Sequence, residues 1–131
     1  MNNSVIIDGV RSPIGLKNGN LIGMRSDDLT SQTVKALLNR NKSIDHKNID
    51  DIVLGCAFPE GPQGMLMAKG VSVLSGLPNT TAGKVVNRFC GSSMDSVHQI
   101  SQAIDCDDIK CGIACGAEDM FGVPMGGFSP S

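Results

Sequence analysis

The chain has 131 residues, 40% apolar and 18% charged, with a formal net charge of −2; that is the size and balance of one globular domain, able to bury a core without disulfide or metal staples. Four Phe, no Trp and no Tyr leave almost no material for base-stacking platforms or aromatic sugar grooves, and the near-neutral charge lacks the basic footprint of a nucleic-acid binder. No run approaches the ~20 apolar residues of a membrane span, and the opening MNNSVIIDG lacks a basic segment followed by an apolar one, so neither a nucleic-acid nor a membrane partner is expected and the expected location is cytoplasmic.

In chain order, Ser4 to Val10 is apolar and β-branched and reads as a buried strand, broken by Arg11-Ser12-Pro13 and a Gly/Asn-rich loop through Gly23. Ser26-Asp27-Asp28 offers N-cap oxygens and negative charge to a helix reaching about Arg40, with Leu29, Val34, Leu37 and Leu38 as its apolar positions. A polar connection from Asn41 to Asp51 leads to Ile52 to Ala57, a short continuous apolar run typical of a strand buried on both faces, closed by Pro59-Glu60-Gly61-Pro62. Met67, Val71 and Leu74 recur at helical spacing, Gly76 stands where a C-terminal cap belongs and Pro78 follows, which predicts a helix over Gln63 to Ser75 with the methionines as core. Lys84 to Phe89 reads as a third strand. Gly91 to Ile104 reads as a third helix with Met94, Val97 and Ile100 at threefold spacing, and Cys111 to Ala117 as a fourth strand of small residues. Beyond Glu118 the text is loop-like, and Val123 to Ser131 has no periodicity. Strands alternating with helices predict an α/β fold with helices around a mainly parallel or mixed sheet.

Five cysteines, an odd number with no export signal, argue for free thiols. Cys90 stands apart: it leaves a predicted strand and enters the first turn of a predicted helix, where unpaired backbone N–H groups and the helix dipole stabilise a thiolate. Gly91 removes a side chain beside the sulfur, which leaves room for a substrate carbonyl, and the same N–H groups could hold the oxyanion formed on attack. The arrangement is that of a nucleophile elbow with cysteine in place of serine. The same junction also suits a structural cysteine, so the residues alone leave both roles open.

The stretch around it, Val86-Asn87-Arg88-Phe89-Cys90-Gly91-Ser92-Ser93-Met94, resembles the nucleophile motif of the thiolases, enzymes that cleave or form 3-ketoacyl-CoA thioesters. Other segments agree in order. Arg11-Ser12-Pro13-Ile14-Gly15 is similar to the family's first-strand exit, Gly55 to Gly64 to its second-strand exit, and Gly116-Ala117-Glu118-Asp119-Met120 to its Gly-x-Glu-x-Met turn. The resemblance spans essentially the whole chain. It implies part of the N-terminal half of a layered αβαβα fold, a mixed sheet with helices on both sides, with residues 1–131 an incomplete N-terminal domain and the C-terminal half absent. It also implies ping-pong acyl transfer: Cys90 as nucleophile forming an acyl thioester, with a backbone N–H as oxyanion donor and Asn87 and Gly91 in support. The Pro-Glu-Gly-x-Gln-Gly wording leans toward fatty-acid degradation rather than acetoacetyl-CoA synthesis. No cofactor is implied, coenzyme A being a substrate, and the implied partners are 3-ketoacyl-CoA, CoA, further copies of the chain and a complementary C-terminal fragment. In the family an activating histidine, a second cysteine as general acid/base and an asparagine-held water lie in the C-terminal half. The turn at Glu118 and Asp119 carries over as a structural element near the active site.

Other readings remain beside this one. The chain could be a truncated or split gene product without activity of its own, whose strand edges and apolar helix faces would make it poorly soluble alone. A decarboxylating ketoacyl synthase is disfavoured by the Asn-x-x-Cys-Gly-Ser-Ser wording. Cys106, Cys111 and Cys115 raise a metal or redox protein, but the C-x₄-C-x₃-C spacing has no C-x₂-C pair or adjacent His, so no metal site is expected. A phosphate cradle at Gly122 to Gly127 lacks the Lys-Ser/Thr and the strand–helix context it needs. His98 is expected to pack or face solvent and His46 to lie in a polar connection, and the acid pairs Asp27-Asp28, Asp50-Asp51 and Asp107-Asp108 suit capping and solvation.

Overall fold

A computed structural model describes residues 3–129. Among them three helices, α1 (Ser26–Arg40), α2 (Met67–Leu74) and α3 (Ser92–Asp105), alternate with three strands, β1 (Asp51–Gly55), β2 (Ala82–Val86) and β3 (Gly112–Gly116). The sheet has the order β2-β1-β3 and is parallel among the described residues, in line with the mainly parallel or mixed sheet expected. Register places Ile52 between Gly83 and Ile113, and Leu54 between Val85 and Cys115. Central β1 is the strand buried on both faces that its apolar run predicts: Ile52, Val53 and Leu54 are fully buried.

One face carries α1 and α2. There Ile52, Leu54 and Cys56 join Val34 and Leu38 of α1, Met67, Ala68 and Val71 of α2, and Ile113 of β3 in one core, with Cys111 and Cys115 packed against it. The other face carries α3. Helices therefore cover both sides, as expected. Gly76 closes α2 in the left-handed conformation (φ 84°), with its N–H donating to Val73 O and that of Leu77 to Ser72 O, the capping pattern its position predicts.

Several expectations are corrected. Ser4 to Val10 forms no strand: the segment is tied at one end by Ser4 N–H donating to Asp105 and at the other by Asp8 accepting from Arg40 and Asn41, but it makes no ladder with β3. A cleft lined by Val5 to Asp8 and by Gly112 to Ala114 separates the two, and Val5, Ile6 and Ile7 stay exposed. A strand exists only through a neighbour's N–H and C=O groups, which β propensity cannot supply. Ser26 is the first helical residue of α1 rather than its cap. The cap position is Arg25, which makes no side-chain capping bond, and the Ser26 hydroxyl is buried against Met67 Sδ. The second helix starts at Met67, not Gln63, because Met65 takes a left-handed φ of 52° that a helix cannot continue through. The last two residues of the loop expected over Val123 to Ser131 lie outside the described residues.

The third helix also packs differently from its apolar spacing. Met94 is exposed, and the face on the sheet is Ser92, Ser96 and Ile100. Small residues are required there because the helix start lies almost on the strand backbones. A Cβ at Gly55 would collide with the Ser92–Ser93 peptide, and one at Gly116 with the Ser93 side chain. Ser96 Oγ completes the seat by donating to Cys115 O at 3.1 Å. Gly55→Ala is therefore expected to cost about 1–3 kcal/mol by overpacking, read as a lower urea midpoint at unchanged m-value; an unaltered midpoint would show that α3 is not seated this closely.

Candidate active site

Residues 87–91 join β2 to α3, and four side chains or backbone groups shape them. Asn87 Nδ2 donates to Ala57 O at 2.9 Å across the sheet end, and Asn87 Oδ1 accepts the Phe89 N–H at 2.9 Å. The buried Ser92 accepts from Arg88 N–H at 2.8 Å and donates to Phe89 O at 2.6 Å. Phe89 itself is left-handed, with φ 47°, a conformation that non-glycine residues hold only when surrounding bonds fix it. Its ring meets Phe58 edge to face at a centroid distance of 6.3 Å. The strand consequently ends at Val86, three residues before the expected limit, because Asn87 and Phe89 turn the backbone out of the ladder.

Cys90 sits at the top of this turn, exposed to solvent. It precedes the helix rather than entering its first turn, since Gly91 is the cap and Ser92 the first helical residue. The N–H groups of Gly91 and Ser92 donate to Arg88 O and Phe89 O at 3.0 Å each, so the turn itself uses the two amides that follow the sulfur. Gly91 has ordinary backbone angles, and a Cβ there would meet only Arg88, at 3.4 Å from its carbonyl oxygen. The fold would accept a side chain at Gly91; its lack of one keeps the surface beside the sulfur open.

Beside this turn stands the loop leaving β1, organised by Glu118. Its Oε2 accepts Ala57 N–H at 2.7 Å, and its Oε1 accepts Phe58 N–H at 3.3 Å, Gln63 Nε2 at 2.8 Å and the Cys56 thiol at 3.7 Å. Gln63, fully buried, also donates to Phe58 O and accepts Asp119 N–H, both at 2.8 Å. Sequence reasoning placed Asn87, Cys90 and Gly91 at this site, and the structure brings them together. It missed Ser92, Phe58 and Gln63. The first was legible as a serine five residues after Asn87 at a helix start, whereas the others belong to the β1 exit, which lies beside the turn only through the parallel pairing of β1 with β2.

No histidine or carboxylate hydrogen bonds the Cys90 sulfur among the described residues. His98 is exposed on α3 and His46 lies in a short 3-10 turn before β1. Asp95 faces Arg88 at 2.9 Å, and hydrogen bonding from Gln99, then Arg88, holds its carboxyl below the usual range, so it stays ionised. The remaining thiols are of another kind. Burial, then the Glu118 charge, pushes Cys56 up to about 11, and burial pushes Cys115 up to about 12. Burial, then Asp50, also raises Cys111. Cys106 caps α3 on the surface. Among the described residues no three His, Cys, Asp or Glu side chains gather in a metal-binding group, and no helix is long and apolar enough to cross a membrane.

Residues 4–128 match the family described as "Thiolase, N-terminal domain". The chain is 43% identical over 125 residues to the 3-ketoacyl-CoA thiolase of Marinomonas sp. (strain MWYL1), an overlap of 95% of this chain and 32% of that protein. It is 41% identical over 128 residues to the 3-ketoacyl-CoA thiolase of Bacillus subtilis (strain 168), covering 97% and 32%. With the beta-ketoadipyl-CoA thiolase of Escherichia coli it shares 40% identity over 125 residues, covering 95% and 31%. The chain thus spans about a third of the length of these curated relatives.

The thiol environments set a labelling order. With iodoacetamide near neutral pH, modification should fall on exposed Cys90 and Cys106, while Cys56 and Cys115 stay unlabelled until the chain unfolds; peptide mass spectrometry reads the order, and early labelling of Cys56 would contradict the packing. Because the Cys56 thiol ionises near 9.0 when unfolded and near 11 when folded, its contribution to stability is intact below the first value and is lost as pH rises toward the second. Urea midpoints should accordingly decline over that alkaline window.

Proposed function

The chain belongs to the thiolase family, through its N-terminal domain, and from that premise we propose that it supplies the nucleophilic part of an acyl-CoA acyltransferase, with Cys90 as the residue that takes up the acyl group. The observation that carries this reading is the turn at 87–92: it is held from both sides, by Asn87 and by Ser92, yet leaves Cys90 open to solvent. A nucleophile needs that combination of fixed position and free approach.

In the proposed reaction the Cys90 thiolate adds to the 3-keto carbon of a 3-ketoacyl-CoA. The bond between C2 and C3 breaks, its electron pair leaves on C2 of the acetyl-CoA unit, and that carbon takes a proton. The shortened acyl group remains on sulfur as a thioester until the thiol of a second CoA, losing its proton, displaces Cys90. Each addition places negative charge on a carbonyl oxygen, for which a backbone N–H beside Cys90 is the proposed donor. The direction proposed is degradative, in keeping with relatives named 3-ketoacyl-CoA thiolases. Coenzyme A enters as substrate and no cofactor takes part. The setting proposed is the cytoplasm, where five free thiols persist.

The proton transfers have no donor or base beside Cys90 among the described residues. We therefore assign them to groups outside the described residues, brought to Cys90 in the assembled enzyme, and take residues 1–131 by themselves to acylate without turning over. Incubating the full chain with acetoacetyl-CoA should yield a slow, persistent acetyl adduct on Cys90 by mass spectrometry and no steady-state cleavage. Cys90→Ala should abolish the adduct. Gly91→Ala should leave unfolding within about 0.5 kcal/mol of wild type yet reduce the adduct severalfold. Adducts spread evenly over the cysteines, or cleavage that survives Cys90→Ala, would overturn the assignment.

A further inference from the structure

Glu118 is the point from which the two loops of the site are tied. Four donors converge on its carboxylate, the N–H groups of Ala57 and Phe58, the buried Gln63 amide and the Cys56 thiol, and all four belong to the segment that leaves β1. An ionised carboxylate accepts only, so it suits a place where every neighbour donates; a glutamine there would turn its own NH2 against these donors. What the fixed loop offers in return is the Ala57 carbonyl, which accepts Asn87 Nδ2 at 2.9 Å. Asn87 then passes the constraint on, because its Oδ1 accepts the N–H of Phe89 at 2.9 Å, the left-handed residue before Cys90. The Phe58–Phe89 ring contact is a second link between the same two loops.

We propose that Glu118 is a positioning residue for Cys90: through the Ala57 carbonyl and then Asn87, it holds the left-handed turn at Phe89 on which the sulfur is mounted. The proposal rests on the reading of Cys90 as the acyl-accepting nucleophile. The distinction from a merely structural carboxylate is directional. A structural role would stabilise the β1 exit alone, whereas a positioning role must be felt at Phe89 and must pass through Asn87.

The test uses the full chain as wild type, Glu118→Gln, Asn87→Ala, the double variant, and Thr81→Val as a control. The control removes a buried hydrogen bond, Thr81 Oγ1 to Ile49 O at 2.8 Å, in another part of the fold. Two quantities are read: hydrogen exchange at the Phe89 amide, and the rate of acyl-adduct formation on Cys90 from acetoacetyl-CoA. Glu118→Gln should speed Phe89 exchange about tenfold and slow adduct formation by a similar factor. Asn87→Ala should do the same, and the double variant should be no worse than Asn87→Ala, since both act along one path. Thr81→Val should lower the unfolding midpoint and move neither quantity. If Glu118→Gln does not fold, Glu118→Asp, whose carboxylate is charged but withdrawn, is read the same way. Unchanged Phe89 exchange in the folded Glu118 variant, or effects that add in the double variant, would overturn the proposal. A wild type that forms no adduct would overturn the nucleophile reading instead, and Phe89 exchange would still decide the link.

Discussion

The first turn of α3 lies against the C-terminal ends of β1 and β3 at a distance that two glycines permit. At Gly55 and Gly116 any side chain would collide with Ser92 or Ser93. Strands and helix are thereby locked in one relative position at the edge of the sheet where the chain passes from β2 into α3. The serines follow from the same constraint. With the backbones this close, an apolar side chain at position 92 or 96 has no volume to fill, and a hydroxyl gains a partner it would lack elsewhere: Ser96 reaches Cys115 O, and Ser92 closes the turn above it. Close packing at the strand ends therefore does the work of placing Cys90, and the helix begins one residue after the turn is complete.

Two independent fixings meet at Phe89. Ser92 holds it from the helix side, through its carbonyl; Asn87 holds it from the sheet side, through its N–H. A non-glycine residue in the left-handed region costs of the order of 1–3 kcal/mol, about what two hydrogen bonds at ~1 kcal/mol each can offset. The strain is therefore local and locally compensated. By contrast, the Arg88–Asp95 ion pair beside it is largely exposed on the arginine side, and such pairs contribute little in water. The neutral hydrogen bonds, not the charges, set the geometry of the turn.

The sequence shows some of this plainly. Ile52 to Leu54 is a continuous apolar run and is the fully buried central strand; Gly76 before Pro78 is a helix cap and behaves as one. Asn87, Cys90 and Gly91 were singled out as a group and stand together. What could not be read is of two kinds. One is pairing: Ser4 to Val10 has the side chains of a strand but no ladder, because strand formation is settled by a neighbour and not by propensity. The other is close approach. Periodicity ranks Met94, Val97 and Ile100 as the buried stripe of α3, yet the face that meets the sheet is Ser92, Ser96 and Ile100, since helical spacing alone does not say how near the next backbone lies. The glycines at 55 and 116 were the available signal, but they sit in other elements and have meaning only once the sheet register is known.

Position and chemistry are thus divided differently along the chain. Everything that orients Cys90 is found within residues 55–118: the glycine seat, the Ser92 clasp, the Asn87 link and the Glu118 anchor. Among the described residues no histidine or carboxylate hydrogen bonds the sulfur. Orientation depends on short-range backbone and side-chain bonds that a small domain can complete alone, while proton transfer needs a base within hydrogen-bond reach of the reacting group. Phe89 and Met94, apolar side chains at and just after the turn, stay exposed, which suits a surface that another part of a protein covers. On the proposed reading of Cys90, a cover over that surface would also exclude water from the thioester.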